Sequence, residues 1–179
     1  MVLNQLHRQT QLETSYSIIN VVLVDGQPVT LPLRDILNQY ISHRFEVIER
    51  RTRFDLDRAE KRAHILAGLL IALGNIDLVI KLIRAAESPS EARGALTEAF
   101  GLSEEQTKAI LDMRLQRLTA LEQEKIRSEE MDLEVAIARF KEILADPREI
   151  RNIIKQELAE LVGKYGDGRR TQIIEAEEE

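Results

Sequence analysis

With 179 residues, of which 44% are apolar, 31% charged and only 4% aromatic, the chain is long enough to bury a core and is composed for helices rather than a sheet. It has no cysteine, which excludes a disulfide framework and a thiolate metal site, and no run of about 18 apolar residues or leader-like core in residues 1–11, so neither a membrane span nor secretion is expected. A net charge of −6 opposes duplex DNA, whose sequence-independent affinity comes from Lys and Arg displacing counterions; a soluble, cytoplasmic protein that does not bind DNA tightly by itself is the expectation.

In residues 1–31, a β-branched run at 18–24, the turn Asp25-Gly26-Gln27-Pro28 and a resumed strand at Val29-Thr30-Leu31 predict a short β-hairpin. An isolated hairpin is marginal in water, so this segment reads as the end of a preceding domain. From residue 32 the pattern turns helical: Leu33, Leu37, Ile41, Phe45, Ile48, Thr52, Leu56, Ala59, Ala63, Leu66, Leu70 and Leu73 recur every three or four residues. Pro32 suits a first helical turn, and no glycine or proline follows until Gly68, so residues 32–74 predict one outgoing helix of roughly 60 Å at ~1.5 Å per residue.

Residues 75–126 predict a knob of short helices. Ser88-Pro89-Ser90-Glu91, Ser103-Glu104-Glu105-Gln106 and Thr119-Ala120-Leu121-Glu122 each fit the capping box, and Gly101 fits a helix stop. Over residues 127–163 the helical spacing resumes in Leu133, Ile137, Phe140 and Leu144, then Ile150, Ile154, Leu158 and Leu161. Asp146-Pro147 predicts a joint in this return leg, with Asp146 as cap, and Gly163 is expected to end it. Residues 164–179 read as a turn-rich exit and an acidic tail. The expected fold is mainly α: a long antiparallel coiled-coil hairpin, the stalk, with a small all-α knob at its tip and a short β-hairpin near the N-terminus. Leu37, Ile41, Ile48, Leu66 and Leu70 are expected to pack against Leu133, Ile137, Phe140, Ile154 and Leu158 along the stalk.

Residues 110–121 carry more large apolar side chains than one face of a short helix can use. Either the knob's own core takes them all, or some form a self-association patch. Arg44, Arg50, Arg51, Arg53, Arg58 and Arg62 read as a solvated helix face, since Glu46 and Glu49 stand four residues before Arg50 and Arg53. His7, His43 and His64 lack metal-ligand spacing. The glycines at 163, 166 and 168 follow a helix rather than a strand, so they make a turn and not a phosphate loop. Tyr16, Tyr40 and Tyr165 have no context that activates a phenol. No catalytic, cofactor-binding or metal-binding residue is expected.

Five ordered blocks add a resemblance: Thr10-Gln11-Leu12-Glu13-Thr14-Ser15-Tyr16; Leu23-Val24-Asp25-Gly26-Gln27-Pro28; His43-Arg44 through Arg50-Arg51-Thr52-Arg53-Phe54; ILDMRLQRLTALEQEKI at residues 110–126; and Tyr165-Gly166-Asp167 with Arg169-Arg170-Thr171. Across nearly the whole chain they resemble the gyrase A family of type IIA DNA topoisomerases, the breakage-reunion subunit. The resemblance implies an arm and a terminal knob, with two knobs meeting across a twofold axis as an exit gate. Ile110, Leu111, Met113, Arg114, Leu115, Leu118, Thr119 and Leu121 would supply the contact, with Leu115 and Leu118 as anchors.

By the same resemblance, the gate would open to release a transported duplex during ATP-dependent supercoiling or decatenation by the full enzyme. The implied partners are a second copy of the chain, the ATPase B subunit, the rest of the breakage-reunion subunit, and, transiently, DNA; no membrane is implied. Mg2+ and ATP would act through other domains and the ATPase partner. The family's arginine-tyrosine catalytic pair lies in a winged-helix segment before the region covered here, and none of the three tyrosines matches it, so a non-catalytic fragment is expected. Tyr16 and Tyr165 stand where relatives commonly have phenylalanine, and Gln172 where glutamate is usual. Gyrase and its decatenating relative remain open as parents. A stand-alone coiled-coil scaffold is the alternative from another class; a basic-helix nucleic-acid binder fits the acidic balance poorly.

Overall fold

A computed structural model describes residues 2–174, the side chain of Leu115 excepted. The chain divides into two compact units, residues 1–44 and 45–179. The first holds helix α1 (Val2–Gln9), strands β1 (Val21–Val24) and β2 (Gln27–Thr30), and the start of helix α2 (Leu33–Gly74). The strands pair antiparallel, from Val21 opposite Thr30 to Val24 opposite Gln27. Asp25 and Gly26 both take positive φ, 51° and 79°, as a two-residue hairpin turn with right-handed strand twist requires. The ladder begins at Val21 rather than at residue 18, and Ile18 and Ile19 remain exposed outside it. Helix α1 has no counterpart among the elements expected from the sequence; its 8 residues, with Val2, Leu3 and Leu6 as the apolar side chains, are too few to show a helical period.

In the second unit α2 continues from Phe45 and is followed by α3 (Ile76–Ala85), α4 (Pro89–Phe100), α5 (Glu104–Leu111), a 3-10 turn (Leu115–Leu118), α6 (Ala120–Ala145) and α7 (Pro147–Tyr165). The ion pairs Arg51–Glu157, Glu60–Lys141 and Arg62–Glu129 run in descending order along the return leg as they ascend along α2, so the legs are antiparallel. Two separate cores form. Leu66, Leu69 and Leu73 of α2 join Val79, Leu96, Leu102, Ile110 and Ile126 in the knob core. Ile48 meets Ile143, Ile150 and Ile154 in the stalk core.

Of the expected stalk residues, Ile48 and Ile154 are buried in the stalk core, with Leu158 packed on it. Leu66 instead belongs to the knob core, with Leu70 and Leu133 packed against it, because α2 runs on into the knob. Ile137 and Phe140 are half-buried. Leu37 and Ile41, in the first unit, are exposed at 54% and 47%.

The capping signals fare unequally. The box at Ser103 is complete: its hydroxyl accepts from the Gln106 N–H at 3.2 Å, and the Gln106 side-chain Oε1 accepts from the Ser103 N–H at 2.9 Å. Ser88 accepts from the Glu91 N–H, but the Glu91 carboxylate takes the Glu87 N–H at 2.7 Å, one residue earlier than expected. Thr119 makes no side-chain cap. Its hydroxyl donates to the Gln116 carbonyl at 3.0 Å, satisfying the 3-10 turn before it, and Glu122 turns to Lys125 at 2.6 Å. Gly101 ends α4 in the left-handed conformation at φ 66°, its N–H bonded to the Thr97 carbonyl.

At the joint, Asp146 accepts from the Arg148 N–H at 2.8 Å with Pro147 in the first turn. Arg139 spans it, 2.7 Å from both Glu142 and Glu149, and these two carboxylates raise its pKa. Gly163 does not end the return leg. Helix α7 runs two residues further to Tyr165, because a glycine with helical φ weakens a helix without stopping it, and Gly166 follows as the cap.

Arg62 and Glu129 form a two-pronged pair at 2.7 and 2.8 Å linking α2 to α6. The hydrogen bonds from Arg62 hold the Glu129 carboxyl below its ordinary range, and those to Glu129 raise the guanidinium. A depressed carboxyl contributes stability that is present above its unfolded pKa and lost as the pH falls through its folded one. Both side chains are about two-fifths exposed, at 41% and 43%, so solvent screening limits the pair to roughly 0.2–1 kcal/mol. Thermal melts of Arg62→Met should therefore lie slightly below the parent at neutral pH and coincide with it once carboxylates are protonated. A gap that persists in acid would assign the loss to packing of the arginine stem.

Candidate self-association site

Helix α5 stops at Leu111 because the following residues leave its path: the Asp112 N–H bonds the Lys108 carbonyl, the Met113 N–H reaches back to Ile110, and Arg114 is extended at φ −72°, ψ 142°. One 3-10 turn and extended Thr119 then redirect the chain into α6. This change of direction divides the apolar segment. Ile110, 3% exposed, is committed to the knob core; Leu111, Met113 and Leu118 are half-buried against that core. Arg114 and Thr119 are exposed, and Leu121 is 71% exposed. The expected anchor Leu115 has a side chain outside the described residues.

The segment curves around a hollow of about 850 Å3, edged by Asp112, Arg114, Gln116, Arg117, Thr119 and Glu122. Its charges balance, two acids against two arginines. Glu122 is held by Lys125, and Arg117 adds to the positive field that keeps the Glu129 carboxyl low. Among the described residues, Asp112 and Arg114 have no side-chain hydrogen bond or ion pair. The arrangement offers an exposed leucine beside a neutral, polar hollow.

Helix α5 also meets α2 at a junction that the sequence patterns did not announce. Gln106, only 7% exposed, donates to the His64 carbonyl at 2.7 Å while completing the Ser103 box, and the His64 Nε2 lies 2.8 Å from the Ser103 hydroxyl. The glutamine packs over Gly68: a Cβ there would come within 2.7 Å of its Cγ and 2.8 Å of its Cβ. Gly68 therefore does not interrupt α2; it leaves room for the Gln106 side chain of α5. A lone glycine inside a helical pattern was the available signal. Glu105, beside this junction, has a lowered pKa through backbone and Ser103 hydrogen bonds.

The other candidates are dispersed. Arg53 pairs with Glu49 at 2.7 Å as its spacing predicts, Arg51 reaches Glu157 at 3.1 Å, and Arg50 and Arg58 are exposed. His7 lies 3.2 Å from Glu13 in the first unit. Tyr16, Tyr40 and Tyr165 are exposed, with the Lys164 ammonium 5.5 Å from the Tyr165 ring centre. Among the described residues no single helix is long and apolar enough to cross a membrane.

A family profile for the A subunit of DNA gyrase/topoisomerase IV matches residues 1–159. The DNA gyrase A subunit of Deinococcus deserti is 49% identical over 179 residues, 100% of this chain and 22% of its own length. The DNA gyrase A subunit of Streptococcus pneumoniae serotype 4 is 51% identical over 174 residues, 97% of this chain and 21% of its own. That of Clostridium acetobutylicum is 51% identical over 177 residues, 99% and 21% respectively. The chain thus spans about a fifth of the length of the curated relatives it matches.

Proposed function

Because the chain belongs to the A-subunit family of DNA gyrase and topoisomerase IV, we propose that its helical hairpin and knob serve as the exit gate of a type IIA topoisomerase, a second copy closing against residues 110–121. The observation that carries this reading is Leu121: a large apolar side chain, 71% exposed, beside a charge-balanced hollow and backed by a well-packed core. A rigid knob with an apolar anchor on its surface suits a contact that must hold and also release.

In this reading the closed gate keeps the two breakage-reunion subunits together while a duplex is cut elsewhere, and its transient opening releases the transported duplex. The antiparallel legs carry motion between the cutting region and the knob. ATP and Mg2+ act through other domains and the B subunit, in the cytoplasm, and this chain contributes mechanics rather than bond making. The exposed Leu23, Val21, Ile18 and Ile19 of the first unit are suited to packing against the rest of the breakage-reunion subunit. A scaffold reading has one observation in its favour, the exposed Phe54, Met131 and Val135 on the stalk helices, and it places association along the stalk instead.

Sedimentation equilibrium of the chain beside Leu121→Asp separates the two. Since Leu121 lies outside the cores, the variant should keep its helical circular dichroism; the parent should be a dimer and the variant a monomer. A monomeric parent would overturn the gate reading, and a folded variant that still dimerises would move the contact to the stalk.

A further inference from the structure

Of the four charges around the knob hollow, Glu122 is paired within the chain with Lys125 and Arg117 only adds to the field on the Glu129 carboxyl, whereas Asp112 and Arg114, two residues apart on the turn after α5, are exposed with no side-chain hydrogen bond or ion pair among the described residues. We propose that Asp112 and Arg114 pair reciprocally across the gate, Asp112 of one copy with Arg114 of the other and the converse, so that the hollow selects a second copy of this same chain. The inference rests on the exit-gate reading and adds the groups that set its partner and register.

Symmetry supplies the reason. A twofold contact brings one surface patch against itself, so a charge at one position is matched only if the opposite charge stands elsewhere in the same patch. Asp112 and Arg114 meet that requirement from within one hollow, and the hollow as a whole is neutral. A surface built for DNA would be net positive instead. Closing two knobs removes water from both groups, and a charge desolvated without a partner costs more than the pair returns in water. Reciprocal pairing offsets that cost twice per dimer. Such pairs govern register and partner choice more than raw affinity, which is compatible with an interface that must also open.

The test compares sedimentation equilibrium of the parent chain, Asp112→Arg, Arg114→Asp and the double exchange, with circular dichroism confirming the fold of each. Both positions are exposed, so folding should be unaffected. Each single reversal should weaken the dimer by at least about tenfold, because like charges then face one another twice. The double exchange should recover the parent's dissociation constant, and an equimolar mixture of the two single variants should form heterodimers more tightly than either forms homodimers. If the parent dimerises but the single variants are as tight, or if neither double exchange nor mixing restores association, the pairing is wrong while the gate reading stands. A monomeric parent removes both.

Discussion

Gly68→Val should lower the stability of the second unit by roughly 2–4 kcal/mol, the sum of overpacking at a close helix contact and a lost hydrogen bond between two helices. The atoms in the way are the Cβ, Cγ and Cδ of Gln106, at 2.8, 2.7 and 3.0 Å from a Cβ built on Gly68. The clash begins at the root of that side chain, so rotating its tip cannot relieve it; α5 itself must move. Moving it breaks the Gln106 bond to the His64 carbonyl, the link from α5 to α2, while the Ser103 capping box, local to the start of α5, travels with the helix. In a domain of this size the loss corresponds to a drop in melting temperature on the order of 10 °C. Gly163→Ala is the matched control: no atom lies within 4 Å of its Cβ, and a helix-interior glycine should gain up to about 1 kcal/mol on becoming alanine. If Gly68→Val melts with the parent, the close approach of α5 carries no stability.

Ile48→Ala should cost about 2–5 kcal/mol, and its effect should stay in the stalk. Ile48 is fully buried against Ile143, Ile150 and Ile154, and no residue of this cluster belongs to the knob core. Between the two clusters Ala59 is the one buried apolar residue on α2, and α6 buries none between Ile126 and Ile143, with the Arg62–Glu129 and Glu60–Lys141 pairs bridging the gap. The apolar residues Leu56, Leu133, Ile137 and Phe140 between the clusters are only half-buried, so the packing that couples one core to the other is partial. Native-state hydrogen exchange should therefore show loss of protection in α7 and the end of α6 while α4 and α5 keep theirs. Equal loss throughout would mean that the two cores unfold as one.

The helices themselves were legible because their signals are local. A 3.6-residue recurrence from Leu33 to Leu73, the Asp146-Pro147 joint and the Ser103–Gln106 box each involve residues within a few positions of one another. Where a signal depended on competition among partners, it failed. Thr119 could cap α6 or bond back to Gln116, and the 3-10 turn drew it to the second; Gly163 could end α7 or sit within it, and nothing nearby enforced the stop.

The same division runs through the candidate site. Its composition marked residues 110–121 as too apolar for one helix face, and the family resemblance pointed to the same segment. Which side chains turn inward was another matter: Ile110 goes to the core and Leu121 to the surface because the 3-10 turn between α5 and α6 rotates the chain between them. By itself, then, the sequence determined the helical periods, the caps at Ser103 and Asp146 and the antiparallel pairing of two long legs, since these follow from spacing along the chain. Only the tertiary structure decided that Leu66 serves the knob rather than the stalk, that Gln106 sits where Gly68 leaves room, and that Asp112 and Arg114 are left without internal partners among the described residues. A helical period specifies which residues share a face, whereas what covers that face depends on where chain segments tens of residues away come to lie.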